Sequence, residues 1–262
     1  MKISDYPKFE SALSQGRPIT FLCGAGLSVS LGDHAKGWGG WLKEGKACLS
    51  DVEAEELDRR FGSYSASELI DAASFLIEAL RKNGNYTAYM DSTIGSLRVQ
   101  NKKLANALAL FVRCGDYFAT TNYDKLLEEV TGLGYYTYNM PGKIVQMLSG
   151  QAEMSLIHLH GIYDAATNMD DIVADQKQYE DVLANQGAQF IQNLISTCTL
   201  VILGCGTTVD DPNLKGFMSF ASKQLHLNIP YFYLHKAGDD LSDLGPNVIP
   251  VCYGMEYSDL SN

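Results

Sequence analysis

The chain has 262 residues, 46% of them hydrophobic and 19% charged, enough for a substantial core without a disulfide or metal staple. Its 31 Asp and Glu against 20 Lys and Arg leave a net charge of −11, and the densest basic run, Lys102-Lys103, is two residues long. Such an anion repels a phosphate backbone, so generic nucleic-acid binding is excluded. No apolar stretch approaches the roughly 20 residues of a membrane span. Met1-Lys2-Ile3-Ser4-Asp5-Tyr6-Pro7 lacks the apolar core of a secretory signal, so a cytoplasmic protein is expected. The six cysteines (Cys23, Cys48, Cys114, Cys198, Cys205 and Cys252) form no C-x-x-C pair, which argues for reduced thiols and against a zinc ribbon.

The first apolar run, Ile19–Cys23, reads as a strand and ends in Gly24-Ala25-Gly26-Leu27-Ser28. Glycines in that place let a backbone approach a diphosphate, and a following helix N-terminus offers N–H groups to it. The dehydrogenase pattern G-x-G-x-x-G needs a glycine where Val29 stands, and a bland tight turn accounts for the run equally well. From about residue 37 to 110 the patterning is helical with no convincing strand, which predicts a helical insertion within a single domain spanning 1–262. The clearest helix runs from about Ser65 to Asn83, with a capping box at Ser65-Ala66-Ser67-Glu68 and a stop at Gly84. Gly39-Gly40 and Gly132-Leu133-Gly134 read as hinges or loop corners.

A second strand, Tyr117–Thr120, runs into Thr121-Asn122-Tyr123-Asp124, where the acidic residue can cap a helix over Lys125–Glu129. A third, Leu156–Leu159, ends in His158-Leu159-His160-Gly161. Alternation would send both histidines to one side, and a metal pair with Asp164 lacks further ligands at the expected spacings. A helix over about 176–197 follows, with Tyr179, Val182, Leu183, Phe190, Ile191, Leu194 and Ile195 on its buried side. Strand Leu200–Leu203 leads into Gly204-Cys205-Gly206-Thr207-Thr208 and Asp211-Pro212-Asn213, suited to a ribose or phosphate, or to an ordinary capped loop. Two more strands are predicted at Ile229–Leu234 and Val248–Cys252. Nearly continuous apolar strands alternating with helices imply an α/β fold: a Rossmann-like parallel sheet with helices on both faces and no zinc module.

Four short motifs thus recur in one order, each at the C-terminal end of a predicted strand. Together they resemble the sirtuin superfamily, and more closely the bacterial sirtuin-like NAD hydrolases of anti-phage defence. The resemblance implies NAD as substrate and no metal. Asn122 would position the ribose and the attacking water, His160 would serve as base, and Asp124 would help bind the carboxamide. Gly24, Ala25, Gly26 and Ser28 would bracket the diphosphate, and Gly204, Thr207 and Asn213 the adenosine side. His158, two residues deeper than His160, is expected to matter less. Trp38 and Trp41 read either as core aromatics or as a lid over the nicotinamide end. Protein-deacylating sirtuins carry an Ile-Pro-Asp-Phe-Arg-like run where Asp33-His34-Ala35-Lys36 stands here, and a four-cysteine zinc module that is missing. The expected activity is therefore NAD glycohydrolase, gated by a sensor protein or by self-assembly into a homo- or hetero-oligomer. The alternatives are an NAD-dependent deacylase and a non-catalytic sensor of NAD or ADP-ribose. A stand-alone effector and a fragment of a longer protein both remain open.

Overall fold

The computed structural model describes residues 5–14, 19–63, 65–113, 116–185, 189, 199–205, 231–239, 241 and 248–261. Helix α1 (Pro7–Ser14) precedes strand β1 (Ile19–Cys23) and helix α2 (Ala25–Leu31). Four helices follow: α3 (Trp38–Gly45), α4 (Asp51–Arg60), α5 (Ala66–Lys82) and α6 (Tyr86–Met90). A π-helical turn, Asp91–Gly95, extends α6, and α7 (Lys102–Arg113) leads into β2 (Tyr117–Thr120). Then come α8 (Leu126–Thr131), β3 (Gly134–Thr137), α9 (Pro141–Leu148) and β4 (Ser155–His158). A small antiparallel hairpin, β5 (Tyr163–Asp164) and β6 (Met169–Asp170), precedes α10 (Gln176–Ala184). Strands β7 (Thr199–Leu203), β8 (Tyr231–Lys236) and β9 (Val248–Gly254) complete the order.

The described strands form one seven-stranded sheet in the order β3-β4-β2-β1-β7-β8-β9, and every pairing in it is parallel. Strand side chains alternate between faces, and each face of this sheet has its own core. Ile19, Phe21 and Cys23 of β1 pack with Val201 and Leu203 of β7 and with Leu27, Leu31, Leu104 and Leu108 of α2 and α7. Leu22 packs on the other face with Leu200, Ile202, Ile144 and Met147. Burial on both faces is why these strands read as unbroken apolar runs. Between Cys23 and Tyr117 the described residues contain no strand, only an isolated bridge from Gly32 to Val99. Helices α3 to α6 build a separate core around Trp41, Leu57, Leu76 and Tyr89, joined by Tyr123 and Tyr163, whereas α7 packs against the sheet.

Several local expectations change. Gly39 and Gly40 lie inside α3 and are not a hinge. Gly134 opens edge strand β3, whose pairing with β4 no local apolar run announces. Ser65 accepts from the Glu68 N–H at 3.4 Å, but the Glu68 carboxylate accepts from Ser63, so the predicted box is only half formed. Reciprocal capping boxes occur instead at Ser50 with Glu53 and at Asp175 with Gln178. Helix α10 ends at Ala184, where Asn185 turns to an extended ψ of 111°. Tyr179 and Val182 are buried as its pattern requires. The side chains of Leu183, Phe190, Ile191, Leu194 and Ile195 lie outside the described residues.

Candidate functional site

Strand β1 lies between β2 and β7. The chain runs from β1 to the β2 side and later crosses to β7, so the strand order reverses beside β1. In open parallel sheets ligands collect at the C-terminal ends of strands at such a reversal. Gly24 and Gly204 meet there. The Gly24 N–H donates to Leu203 O and the Gly26 N–H to Gly204 O, each at 2.8 Å. A Cβ on Gly24 would stand 2.8 Å from the Cys205 Cα, and one on Gly26 would stand 2.9 Å from the Gly204 Cα. Gly204 itself has φ +65 and would put a Cβ 2.2 Å from the Leu27 nitrogen. These glycines are thus required by two loops packed backbone to backbone. The Leu27 N–H returns to Gly24 O. Of the four N–H groups that open a helix, Ala25 is therefore the one without a partner among the described residues.

The β2 end is held to this junction by side chains. The Thr120 hydroxyl donates to Cys23 O at 3.0 Å and accepts from the Asn122 N–H at 3.0 Å. The Asn122 amide nitrogen donates to Gly24 O at 2.9 Å and to the Ser28 Oγ at 2.8 Å. A carbonyl only accepts, so the atom facing Gly24 must be the nitrogen. Both amide hydrogens are committed, and Asn122 can offer a ligand only its Oδ1 as acceptor. Ser28 passes its own hydrogen to Asp124 Oδ2 at 2.6 Å, and Asp124 Oδ1 accepts from the Leu126 N–H at 3.0 Å. Asp124 both fastens the start of α8 and closes the Asn122–Ser28 chain. Burial raises its carboxyl pKa above the ordinary value, against the pull of Ser28 and Leu126.

Two adjoining cavities open on this end. A small one of about 50 Å³ is lined by Ser28, Asn122, Tyr123 and Asp124 on one side and by Trp38, Trp41, Glu44, Thr93 and Ile94 on the other. A larger cleft of about 400 Å³ runs past Gly26, Gly204, Gly37 and Tyr257. Ala25, Ala35, Lys36 and Trp38 line both. Of the far wall, Trp38 and Trp41 are the residues the sequence marks, whereas Glu44, Thr93 and Ile94 carry no such signal. Trp41 is buried and donates to the Thr93 hydroxyl at 3.2 Å, and Thr93 sits in the π-helical turn. Only a mid-helix irregularity marks that turn, a feature frequent at functional sites that has no distinct residue signature here. Lys36, which the sequence marks only as part of a departure from the deacylase motif, lines both cavities, and its ammonium lies 2.8 Å from Glu44.

The two histidines separate. Regular extension ends at His158, so strand alternation does not carry them to one side. His160 is buried, its ring edge-on to Tyr179 at 5.2 Å, and it lines neither cavity. His158 is fully buried and bonds Glu128 Oε1 through Nε2 at 2.7 Å and Asn122 O through Nδ1 at 3.1 Å. Burial by itself would lower the pKa of His158. Glu128, the Asn122 carbonyl and Asp124 outweigh it and raise the pKa above the usual 6.5. Asp164 faces Lys125 at 2.7 Å, which holds its carboxyl below the ordinary range despite burial. Thr207 and Asn213 lie outside the described residues, as do Cys114 and Cys198. Among the described residues no cluster of His, Cys, Asp and Glu could hold a metal ion, and no helix is long and apolar enough to cross a membrane.

Residues 116–244, from β2 through β8, match the family model of the SIR2-like domain. The matched segment is just under half of the chain. The SIR2-like segment contains Asn122, Asp124, His158, His160 and Gly204, while Gly24 to Ser28 lie before it. Among solved structures the chain is similar to "Sir2 bound to acetylated peptide", with 11% identity, TM-score 0.48, and 100% and 96% of the two chains covered. It is also similar to "Structure of Sir2Tm bound to a propionylated peptide", with 13% identity, TM-score 0.43 and the same coverage.

Proposed function

We propose that the protein is an NAD glycohydrolase that cleaves the nicotinamide–ribose bond. The observation that carries the reading is Asn122. Its side chain is fixed by Gly24 and Ser28 at the wall of a cavity, with only an acceptor oxygen left over. An acceptor there suits a ribose hydroxyl or a water, both of which can donate. In the reaction the C1′–N bond breaks, its electron pair leaves with neutral nicotinamide, water oxygen bonds C1′, and one proton is released. The transition state is oxocarbenium-like. Catalysis therefore depends on holding the ribose and the water in line while the leaving group departs.

The small cavity would take the nicotinamide end and the larger cleft the rest of the dinucleotide, since only the latter reaches the size of ordinary small-molecule sites. Asp124, next to Asn122 on the cavity wall, would meet the carboxamide. Ala25, with its N–H, would meet the diphosphate, and Lys36, ion-paired with Glu44, lines the same cleft. The base role of His160 rests on the family resemblance alone, because its ring lies beside Tyr179 and outside both cavities. Unrestrained NAD hydrolysis would poison a host, so the activity would be gated by a sensor partner or by self-assembly, as in an anti-phage effector. Incubating the protein with NAD and assaying free nicotinamide, with and without an acetylated peptide, tests the reading. Release independent of peptide is expected. Release only with peptide would make the protein a deacylase, and tight NAD binding without release would make it a sensor.

A further inference from the structure

We propose that His158 is a positioning residue that sets the Asn122 peptide from beneath the site, with Glu128 fixing the orientation of its ring. This rests on the assignment of Asn122 above. Three elements meet in the arrangement: His158 ends β4, Glu128 lies in the first turn of α8, and Asn122 stands in the loop between β2 and α8. The Asn122 carbonyl accepts from His158 Nδ1 at 3.1 Å, while the same residue's amide side chain is held from the other direction by Gly24 O and Ser28 Oγ. Nδ1 faces a carbonyl oxygen, so it must carry a hydrogen, and Nε2 is left for Glu128 at 2.7 Å. Clamped at both its backbone and its side chain, Asn122 has no remaining freedom to rotate its Oδ1 away from a ligand.

Stability alone does not account for the pair. Burying a histidine and a carboxylate together costs desolvation that their attraction barely offsets. Glu128 Oε2 is, moreover, buried with no hydrogen-bond partner among the described residues. What the arrangement does provide is a ring that cannot tilt, and hence a fixed carbonyl. A group misplaced by about 1 Å in a site of this kind costs on the order of 10²-fold in rate.

Two substitutions separate the halves of the clamp. In His158→Asn the side-chain nitrogen stands near the position of Nδ1 and retains the bond to Asn122 O. In His158→Gln it stands near Nε2 and retains only the contact with Glu128. At matched melting temperature, His158→Asn should stay within about fivefold of the parent kcat for NAD, whereas His158→Gln and His158→Ala should fall about 10- to 100-fold with KM little changed. Equal losses in the Asn and Gln variants, or full turnover in the Gln variant, would overturn the proposal.

A second readout needs no catalysis. The Tyr123 amide nitrogen belongs to the same peptide unit as the Asn122 carbonyl, so its chemical shift should move in His158→Gln and stay near the parent value in His158→Asn, even if the protein proves not to hydrolyse NAD. Identical shifts in the two variants would overturn the proposal. Should neither variant fold, the parent protein itself decides. A scalar coupling across the hydrogen bond, from His158 Nδ1 to the Asn122 carbonyl carbon, is expected, and its absence would refute the clamp.

Discussion

At the scale of single residues, the site is a chain of hydrogen bonds with a direction. Asn122 gives to Gly24 and Ser28, Ser28 gives to Asp124, and Asp124 receives from Leu126. Asn122→Ala removes the acceptor, while the Gly24 carbonyl keeps its bond from the Leu27 N–H, so NAD turnover should fall by about 10² or more while the fold survives. His160→Ala should lose about 10²–10⁴-fold if the ring acts as base. Nicotinamide release at the parent rate in both variants would remove the assignment. The pH dependence follows from His158, which is faced by Glu128, Asp124, the Asn122 carbonyl and, edge-on, Tyr135. Its folded pKa lies above the unfolded one. Its contribution to stability is therefore complete below the ordinary value of 6.5 and is lost as pH rises through the folded value. Urea midpoints measured from about pH 6 to 9 should decline more steeply for the parent than for His158→Asn. Parallel curves would contradict this.

At the scale of elements, the decisive contact is between the loops after β1 and β7. It holds α2 against the β7 end through Gly26 N–H to Gly204 O, and it sets the floor shared by Ala25 and the larger cleft. Gly204→Ala meets both a left-handed φ of +65 and a clash with the Leu27 nitrogen. The strained backbone alone costs about 1–3 kcal/mol, so the denaturation midpoint should drop clearly. An unchanged midpoint would mean that the two loops do not pack in this way. Helices α3 to α6 act at the same scale. Their core reaches the sheet through Tyr123, whose hydroxyl donates to Val173 O at 2.7 Å, and it brings Trp38 and Trp41 over the small cavity. Core aromatic and cavity wall thus describe the same residue in Trp41.

At the scale of the whole molecule, stability has an ordinary source: apolar cores on both faces of the sheet and a third within the helices. Chelator treatment should accordingly leave the melting temperature unchanged, checked by calorimetry beside metal analysis. Stoichiometric bound zinc would overturn that. Gating would act at this scale too. The dilute chain by itself should turn NAD over weakly, and turnover should rise with concentration or with an added partner if assembly completes the site. Full activity at every dilution would dispose of the gate.

The sequence by itself determined the alternation of strand and helix, the parallel sheet and the placing of each motif at a strand end. Those features come from burial, which is written locally: a strand covered on both faces is a short apolar run, and an amphipathic helix such as α5 repeats every three to four residues. Edge strand β3 escaped because an edge needs no such run. The tertiary structure alone decided which groups meet. Ser28 and Asp124 lie far apart in the chain, His158 reaches back to Asn122, and Gly26 packs on Gly204. Hydrogen bonds and close approaches of that kind depend on strand order and register, which no local pattern encodes. For the same reason two histidines two residues apart ended in different surroundings. His158 lies under Asn122 and His160 against Tyr179, because the strand that would have aligned them stops at the first.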